Sequence, residues 1–267
     1  MLKFRQWLWS GNIGVGLVLG LLFCAGTFSV RSAVAAGIEQ QPTQPTIPLA
    51  QVVITPTKDN TLYESTTGST SNGAGQHLFV GQTSGASTRR ALVAFDIASQ
   101  IPAGATIVSA TLQLQMSKTN AGAEPIGLHK VSADWGEGTS DAASEEGKGA
   151  NATTGDATWQ HTFFNTAQWS TDGGDFASTA SATLSVSGIG FYTWGSTPGM
   201  VTDLQSWLDA PATNFGWIMI GNETEVGTAK RFSSRENATV AARPQLTVVY
   251  QTSSEPPQFV YLPLIQK

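Results

Sequence analysis

Apolar residues in this chain recur at every second position, and that spacing restricts the fold more than any other feature of the sequence. Ala91, Val93, Phe95 and Ile97 alternate with other residues, as do Leu112, Leu114 and Met116; Leu246, Val248 and Tyr250 repeat the pattern near the end. A strand turns successive side chains to opposite faces, so a period of two with polar partners describes strands buried on one face. Residues 126–131, 183–193 and 217–220 read as further strands. Short strands parted by Gly, Asn and Ser turns predict an all-β fold, a β-sandwich of jelly-roll type. One stretch departs from the rule. Met200, Val201, Leu204, Trp207 and Leu208 fall at helical spacing, Thr197 and Pro198 supply a cap and first turn, and Pro211 stops it. One short helix is expected there, covering an end of the sandwich, with Trp207 in the core.

The two ends of the chain carry different signals. Lys3 and Arg5, the uncharged run 13–30 and the small residues Ala33-Val34-Ala35 make residues 1–36 a signal peptide. The run is long enough to be retained as a membrane anchor, but its four glycines favour cleavage. Residues 37–50 hold Pro42, Pro45 and Pro48 and read as a linker, residues 51–252 as one domain. Residues 253–267 begin with a second Pro-containing linker and end in an apolar tail too short to cross a membrane. The expected product is secreted, extracellular or at the cell surface, with no stable membrane span. Cleavage would remove Lys3, Arg5, Arg31 and the one cysteine, Cys24, taking the net charge from -5 to about -8. Such a balance argues against a nucleic-acid partner. It also leaves no thiol for a disulfide or a Cys-based zinc site.

Several segments then fall in a telling order. Arg90-Ala91-Leu92-Val93-Ala94-Phe95-Asp96 is followed by Ile101-Pro102-Ala103-Gly104-Ala105 and Ala110-Thr111-Leu112-Gln113-Leu114. The middle holds Asp134-Trp135-Gly136-Glu137-Gly138, Ala157-Thr158-Trp159, and Trp169 with Gly173-Gly174-Asp175-Phe176. The last block runs through Trp207-Leu208, Asn214-Phe215-Gly216-Trp217 and Lys230-Arg231-Phe232-Ser233-Ser234-Arg235-Glu236 to Arg243-Pro244-Gln245-Leu246. Across residues 52–250 this order resembles the DNRLRE-type domain, a family of extracellular bacterial modules that includes alginate-binding carbohydrate-binding modules. The resemblance implies a jelly-roll sandwich and a carbohydrate ligand. Fold alone assigns no ligand.

An exposed indole can stack on the C–H face of a sugar ring. Trp135, Trp159, Trp169 and Trp194 fall in or beside loops and are candidate sugar platforms, the other reading being framework packing; Trp207 and Trp217 lie in core patterns. Basic residues are few, and Lys230, Arg231, Arg235 and Arg243 stand close together. If residues 231–235 form a strand, Arg231, Ser233 and Arg235 share a face. An Arg fork matches a carboxylate, so Lys230, Arg231 and Arg235 are candidates for holding a uronic-acid-rich polysaccharide. The competing reading pairs Arg235 with an internal carboxylate such as Asp203 or Glu236.

Eight acids between Asp134 and Asp175 sit in Gly-rich sequence. Carboxylates on such chain suit calcium. A structural calcium ion is therefore the one cofactor to consider, with Asp59 and Asp96 as candidate ligands, although no Asp-x-Asp-x-Asp-Gly loop specifies it. His77, His129 and His161 are isolated, and no His-Glu-x-x-His or Gly-x-Ser-x-Gly run is present. The expected protein is a non-catalytic module binding an acidic polysaccharide such as alginate. The rivals are a structural or adhesive surface module without glycan affinity, and a polysaccharide lyase or hydrolase.

Overall fold

The computed structural model describes residues 48–252; the expected signal peptide, nearly all of the first linker and the C-terminal tail lie outside the described residues. The chain enters through β1 (Leu49–Ile54) and β2 (Lys58–Tyr63), passes the two-residue β3 (Thr70–Ser71), and returns as β4 (His77–Gln82) and β5 (Thr88–Ala94). Next come β6 (Thr106–Thr119) and β7 (Glu124–Lys130). A long excursion carries only the short strands β8 (Ala150–Asn151), β9 (His161–Phe163) and β10 (Ala167–Gln168). Then follow β11 (Ala182–Val186), β12 (Gly190–Trp194), helix α1 (Pro198–Asp209), β13 (Trp217–Ile220), β14 (Lys230–Ser233) and β15 (Gln245–Gln251).

β6 runs fourteen residues without Gly or Pro. Its register with β15 shifts between Val249 and Tyr250, which leaves Val108 as the extra residue of a bulge. Below the bulge Ile107 points inward; above it Ala110, Leu112, Leu114 and Met116 do, so one added residue resets which parity faces the core. One layer places β12 on one pairing with β6 and β15 on another, with β1 beyond β15; β14 and then β4 continue it. The other layer runs β2, β5, β13, β7, β11. β4 joins the two, pairing β14 through residues 77–80 and β5 through Gly81 and Gln82. Every pairing is antiparallel, and the curled sheet folds into an all-β sandwich with one helix.

The main core lies between the layers, where Leu112, Leu114, Phe232 and Leu246 meet Ala91, Val93, Leu128 and Trp217. Helix α1 starts as its sequence predicts, with Thr197 Oγ1 accepting from the Met200 N–H at 3.2 Å. Met200, Leu204, Trp207 and Leu208 enter the same core, and Trp207 packs edge-on against Trp217 with ring centroids 4.7 Å apart. No helix among the described residues is long and apolar enough to cross a membrane.

Three expectations change. β5 is buried on both faces, because Leu92 and Ala94 pack into a second cluster with Leu62, Ile218, Val131, Trp135, Ala157 and Trp169. Residues 183–193 form two strands rather than one: β11 pairs β7 in one layer and β12 pairs β6 in the other, so the turn at 187–189 crosses between layers. β14 ends at Ser233, so Arg235 lies in the following turn and shares no strand face with Arg231.

Asp203 ties the helix to the sandwich. Its buried carboxylate accepts from Trp217 Nε1 at 2.8 Å and from the Ser181 hydroxyl, and Lys130 Nζ stands 3.8 Å away. Asp203→Ala would strand a buried indole N–H and a hydroxyl, at a cost of about 3 kcal/mol. Urea unfolding followed by tryptophan fluorescence is expected to show that loss with an unchanged denaturant slope.

Candidate functional site

The surface presents three places where polar chemistry gathers, and they redistribute the residues singled out from the sequence. Three of the four tryptophans are framework. Trp135 is buried in the second cluster and donates from Nε1 to Phe215 O at 2.8 Å, with Lys58 Nζ 4.3 Å from its ring centroid. Trp169 is buried beside it, donating to Thr158 O at 2.9 Å. Trp194 is enclosed in the main core, donates to Ile126 O at 2.9 Å and packs on Phe232. None of these indoles offers a face to a sugar. The loop sequence around Trp135 and Trp169 misleads because the excursion lies flat on the outer face of β5 and β13, where an apolar surface has to be covered.

Lys230 is also buried. Its ammonium donates to Gly122 O at 2.7 Å and lies 3.4 Å from Ser187 O and 3.5 Å from Thr119 Oγ1. Burial pushes its pKa down, against the pull of Glu124. It closes the sandwich end and presents no charge to a ligand. Arg235 is committed too: its NH1 donates to both oxygens of Glu137 at 2.9 Å and to Glu236 Oε1 at 2.6 Å. The internal partner is thus Glu236, with Glu137, and not Asp203.

Arg231 does reach a groove, and its neighbours there were not legible in the sequence. β14 runs between β4 and β6, in a register that places Arg231 opposite Phe79 and opposite Lys118. Two cations directly across a strand pair repel. The structure answers with Glu145, whose Oε2 accepts from Lys118 Nζ at 2.6 Å and from Arg231 NH1 at 3.0 Å. The Lys118 hydrogen bond, then its charge and that of Arg231, hold the Glu145 carboxyl below its ordinary range. Arg231 Nε also donates to Ser117 Oγ at 3.0 Å, which aims the guanidinium. Around this pair lies a groove of about 190 Å³ lined by Phe79, Arg89, Asn120 and Gly147.

The segment that delivers Glu145 is unusual. Ala143, Ser144 and Glu146 all have φ between 52° and 61°, a left-handed conformation uncommon for residues with a side chain. Glu146 secures it from below: its buried carboxylate accepts from Asn72 Nδ2 at 2.9 Å, His77 N at 2.8 Å and Gln76 N at 3.1 Å. Glu145, one residue earlier, is 68% exposed by its side chain and reaches the cations from outside. One acid is an anchor and its neighbour is a counter-ion.

Of the four candidate tryptophans Trp159 stays at the surface, half-buried, and lines a groove of about 530 Å³ that adjoins a second of about 620 Å³, with Asp172 lining both. Arg90 holds the ring, with its guanidinium 4.9 Å from the Trp159 centroid, while the same group is fixed by Glu223 through two bonds of 2.8 Å and by Gly173 O. Ser132, Ser170, Thr171 and Asp175 line the larger groove. Hydroxyls and carboxylates beside an aromatic edge suit the hydroxyl groups of a sugar.

The third place is a carboxylate cluster. Asp59, Glu137 and Glu236 each bring an oxygen within 4.8 Å of the other two. Asp59 is 1% exposed, and its carboxylate accepts from the Arg235 backbone N–H at 2.8 Å. Burial, then the nearby Glu236 charge, push Asp59 well up; burial does the same to Glu236, opposed by Arg235. Asp96, the other acid proposed from sequence, is exposed, accepts from the Ser99 N–H at 3.2 Å and stands outside this cluster.

Residues 50–141, from β1 through the start of the excursion, match the model of carbohydrate-binding module family 96. The matched stretch supplies Asp59, Phe79, Arg89, Arg90, Lys118, Trp135 and Glu137 to the places just described. It supports a carbohydrate-binding module, a class defined by binding. No curated protein matches the chain.

The Glu146 anchor has a pH signature. Burial raises its carboxyl, but hydrogen bonds from His77, Asn72 and the Gln76 N–H outweigh that and leave it below the ordinary 4.5. A depressed folded value means its contribution is complete above pH 4.5 and fades as pH falls through the lower folded value. Glu146→Gln is expected to cost about 2 kcal/mol at pH 7. In urea titrations repeated down the pH scale, the gap to the natural protein should narrow below pH 4.5.

Proposed function

We propose that this protein is a secreted, non-catalytic module that binds an acidic polysaccharide, alginate or a similar polyuronate, through the groove around Arg231 and Lys118. The observation that carries this reading is the register of β14 on β6, which sets two cations side by side with a carboxylate seated across them. A uronate carboxylate has the same charge and donor requirements as Glu145, and a guanidinium aimed by Ser117 prefers such a group over a neutral hydroxyl. Asn120 beside the cations gives the sugar a hydrogen-bonding partner, and only the edge of the buried Phe79 reaches the groove. The family match to a carbohydrate-binding module agrees with this reading, and so does the order of segments that resembles the DNRLRE-type domain. The overall negative charge makes the attraction local, so it should weaken steeply with salt.

A second contact is the Trp159 edge with the grooves that meet at Asp172, which suits an uncharged stretch of sugar. The two places differ in chemistry, so they separate in experiment.

Affinity gel electrophoresis of the full chain tests the proposal, with alginate, polygalacturonate, cellulose or xylan in the gel. Retardation by the polyuronates is expected, and Arg231→Ala with Lys118→Ala should weaken it about tenfold or more, equivalent to about 1.4 kcal/mol. Glu145→Ala removes the competing carboxylate and should tighten polyuronate binding several-fold. Retardation by cellulose or xylan alone, lost in Trp159→Ala, would move the site to the Trp159 grooves. A folded protein that no polysaccharide retards would make the structural or adhesive module the better description, and release of soluble sugar ends would reveal an enzyme.

A further inference from the structure

The strands around β6 are almost free of charge. β12, β15 and β1 contain no charged residue, and β6 contains only Lys118, in a chain with 14 basic and 19 acidic residues. Arg231 and Lys118 stand at the border of this uncharged face. To one side lies the excursion, which brings Glu145 onto both cations and carries further acids on the same Gly-rich chain. To the other side β6 leads away through Gln115 and Gln113, which face outward because Leu112, Leu114 and Met116 fill the core.

Phe191 stands on that outward face. It pairs with Gln115 across β12 and β6, as Thr193 pairs with Gln113. Its strand neighbours Tyr192 and Trp194 turn to the core, which leaves the Phe191 side chain outside and 54% exposed. Across the other edge of β6 the Ser233 hydroxyl donates to Gln115 Oε1 at 3.2 Å, and Ser117 holds the Arg231 guanidinium at 3.0 Å. Phe191, Gln115 and Arg231 therefore share one face of three neighbouring strands. From Gln115 to Lys118 is roughly 10 Å of strand, and β12 lies two strand spacings, about 10 Å, from β14.

A lone exposed apolar side chain is ordinary; the place of this one is not. A polyanion seated on the cations meets carboxylates if it continues over the excursion. If it continues over the strands it meets amides, hydroxyls and a phenyl face, with no like charge to oppose it. A phenyl face stacks on the C–H side of a sugar ring, and a Gln amide can serve ring hydroxyls. We infer that Phe191 is a second subsite of the polyuronate site: the polymer leaves the Arg231–Lys118 pair across the outer face of β6 and β12, and Phe191 stacks on a ring beyond the uronate that the cations hold. One sugar unit does not reach both places, so this subsite engages oligomers only.

The inference rests on the polyuronate reading of the Arg231 groove, and the test separates the two. Affinity electrophoresis of the full chain in gels of long alginate compares Phe191→Ala, Gln113→Glu, Arg231→Ala and Gln100→Glu, each scaled to its mobility in a gel without polysaccharide. Gln113 and Gln100 are both exposed, but Gln100 lies in the turn after β5, away from the path. Phe191→Ala is expected to weaken retention about fivefold. Gln113→Glu should weaken it as well, through a repulsion that added salt relieves, and Gln100→Glu should leave it unchanged. Loss of retention in Arg231→Ala, with Phe191→Ala and Gln113→Glu both retained like the natural protein, would overturn the subsite and leave the groove standing. A natural protein that long alginate does not retard would overturn groove and subsite together.

Discussion

The part of the second layer formed by the end of β2, β5 and β13 is apolar on both sides, and most of the molecule follows from having to cover it. Its inner face meets the opposing layer and the helix. Its outer face, with Leu62, Leu92, Ala94 and Ile218, would meet water if the chain went directly from β7 to β11. The excursion of some fifty residues answers that constraint by laying Val131, Trp135, Ala157 and Trp169 across it. A domain without cysteine must draw its stability from burial, and a second apolar cluster supplies what a disulfide would otherwise constrain. The candidate surfaces are by-products of this arrangement. Glu145 and Glu146, Trp159, Asp172 and Glu137 are all carried by the excursion, and each of the three polar places needs one of them.

Period-two patterning made the sandwich and most of its strands legible, and the Thr197–Pro198–Pro211 signals located the helix. Those are local statements about one segment and its faces. The second cluster was not legible, since Leu92 and Ala94 look like the other half of an alternating strand until one knows what lies above them. For the same reason Trp135 and Trp169 read as loop aromatics. The groove was half legible: Arg231 could be picked out by charge, but Lys118 and Glu145 lie far away in sequence and meet it only through the register of β14 on β6. Lys230, a neighbour of Arg231 in sequence, points into the protein, because adjacent strand residues face opposite ways. Asp59 could be singled out among the acids, but that it lies beside Glu137 and Glu236 follows only from the fold.

Two pairs of adjacent charged residues show how finely burial separates chemical roles. Glu145 and Glu146 are neighbours, yet one is an exposed counter-ion at the surface and the other accepts from two backbone N–H groups and the Asn72 amide. Arg235 and Glu236, also neighbours, instead face each other in one turn. Left-handed backbone at Ala143, Ser144 and Glu146 is what lets the first pair diverge so sharply. A substitution that relaxed that backbone would move both carboxylates at once, although only one touches the groove.

The seated carboxylate of Glu145 also fixes the kind of thermodynamics this groove can have. A ligand that enters does not add an ion pair to bare cations; it exchanges one pair for another, and the departing side chain regains its freedom in water. On the proposed function, each uronate would therefore gain little, and its hold would be brief. A long polymer presents the next carboxylate before the first has diffused away, so retention grows with chain length far more than with the strength of any one contact. On the proposed function, such a surface would discriminate by polymer length, releasing short fragments and keeping long strands.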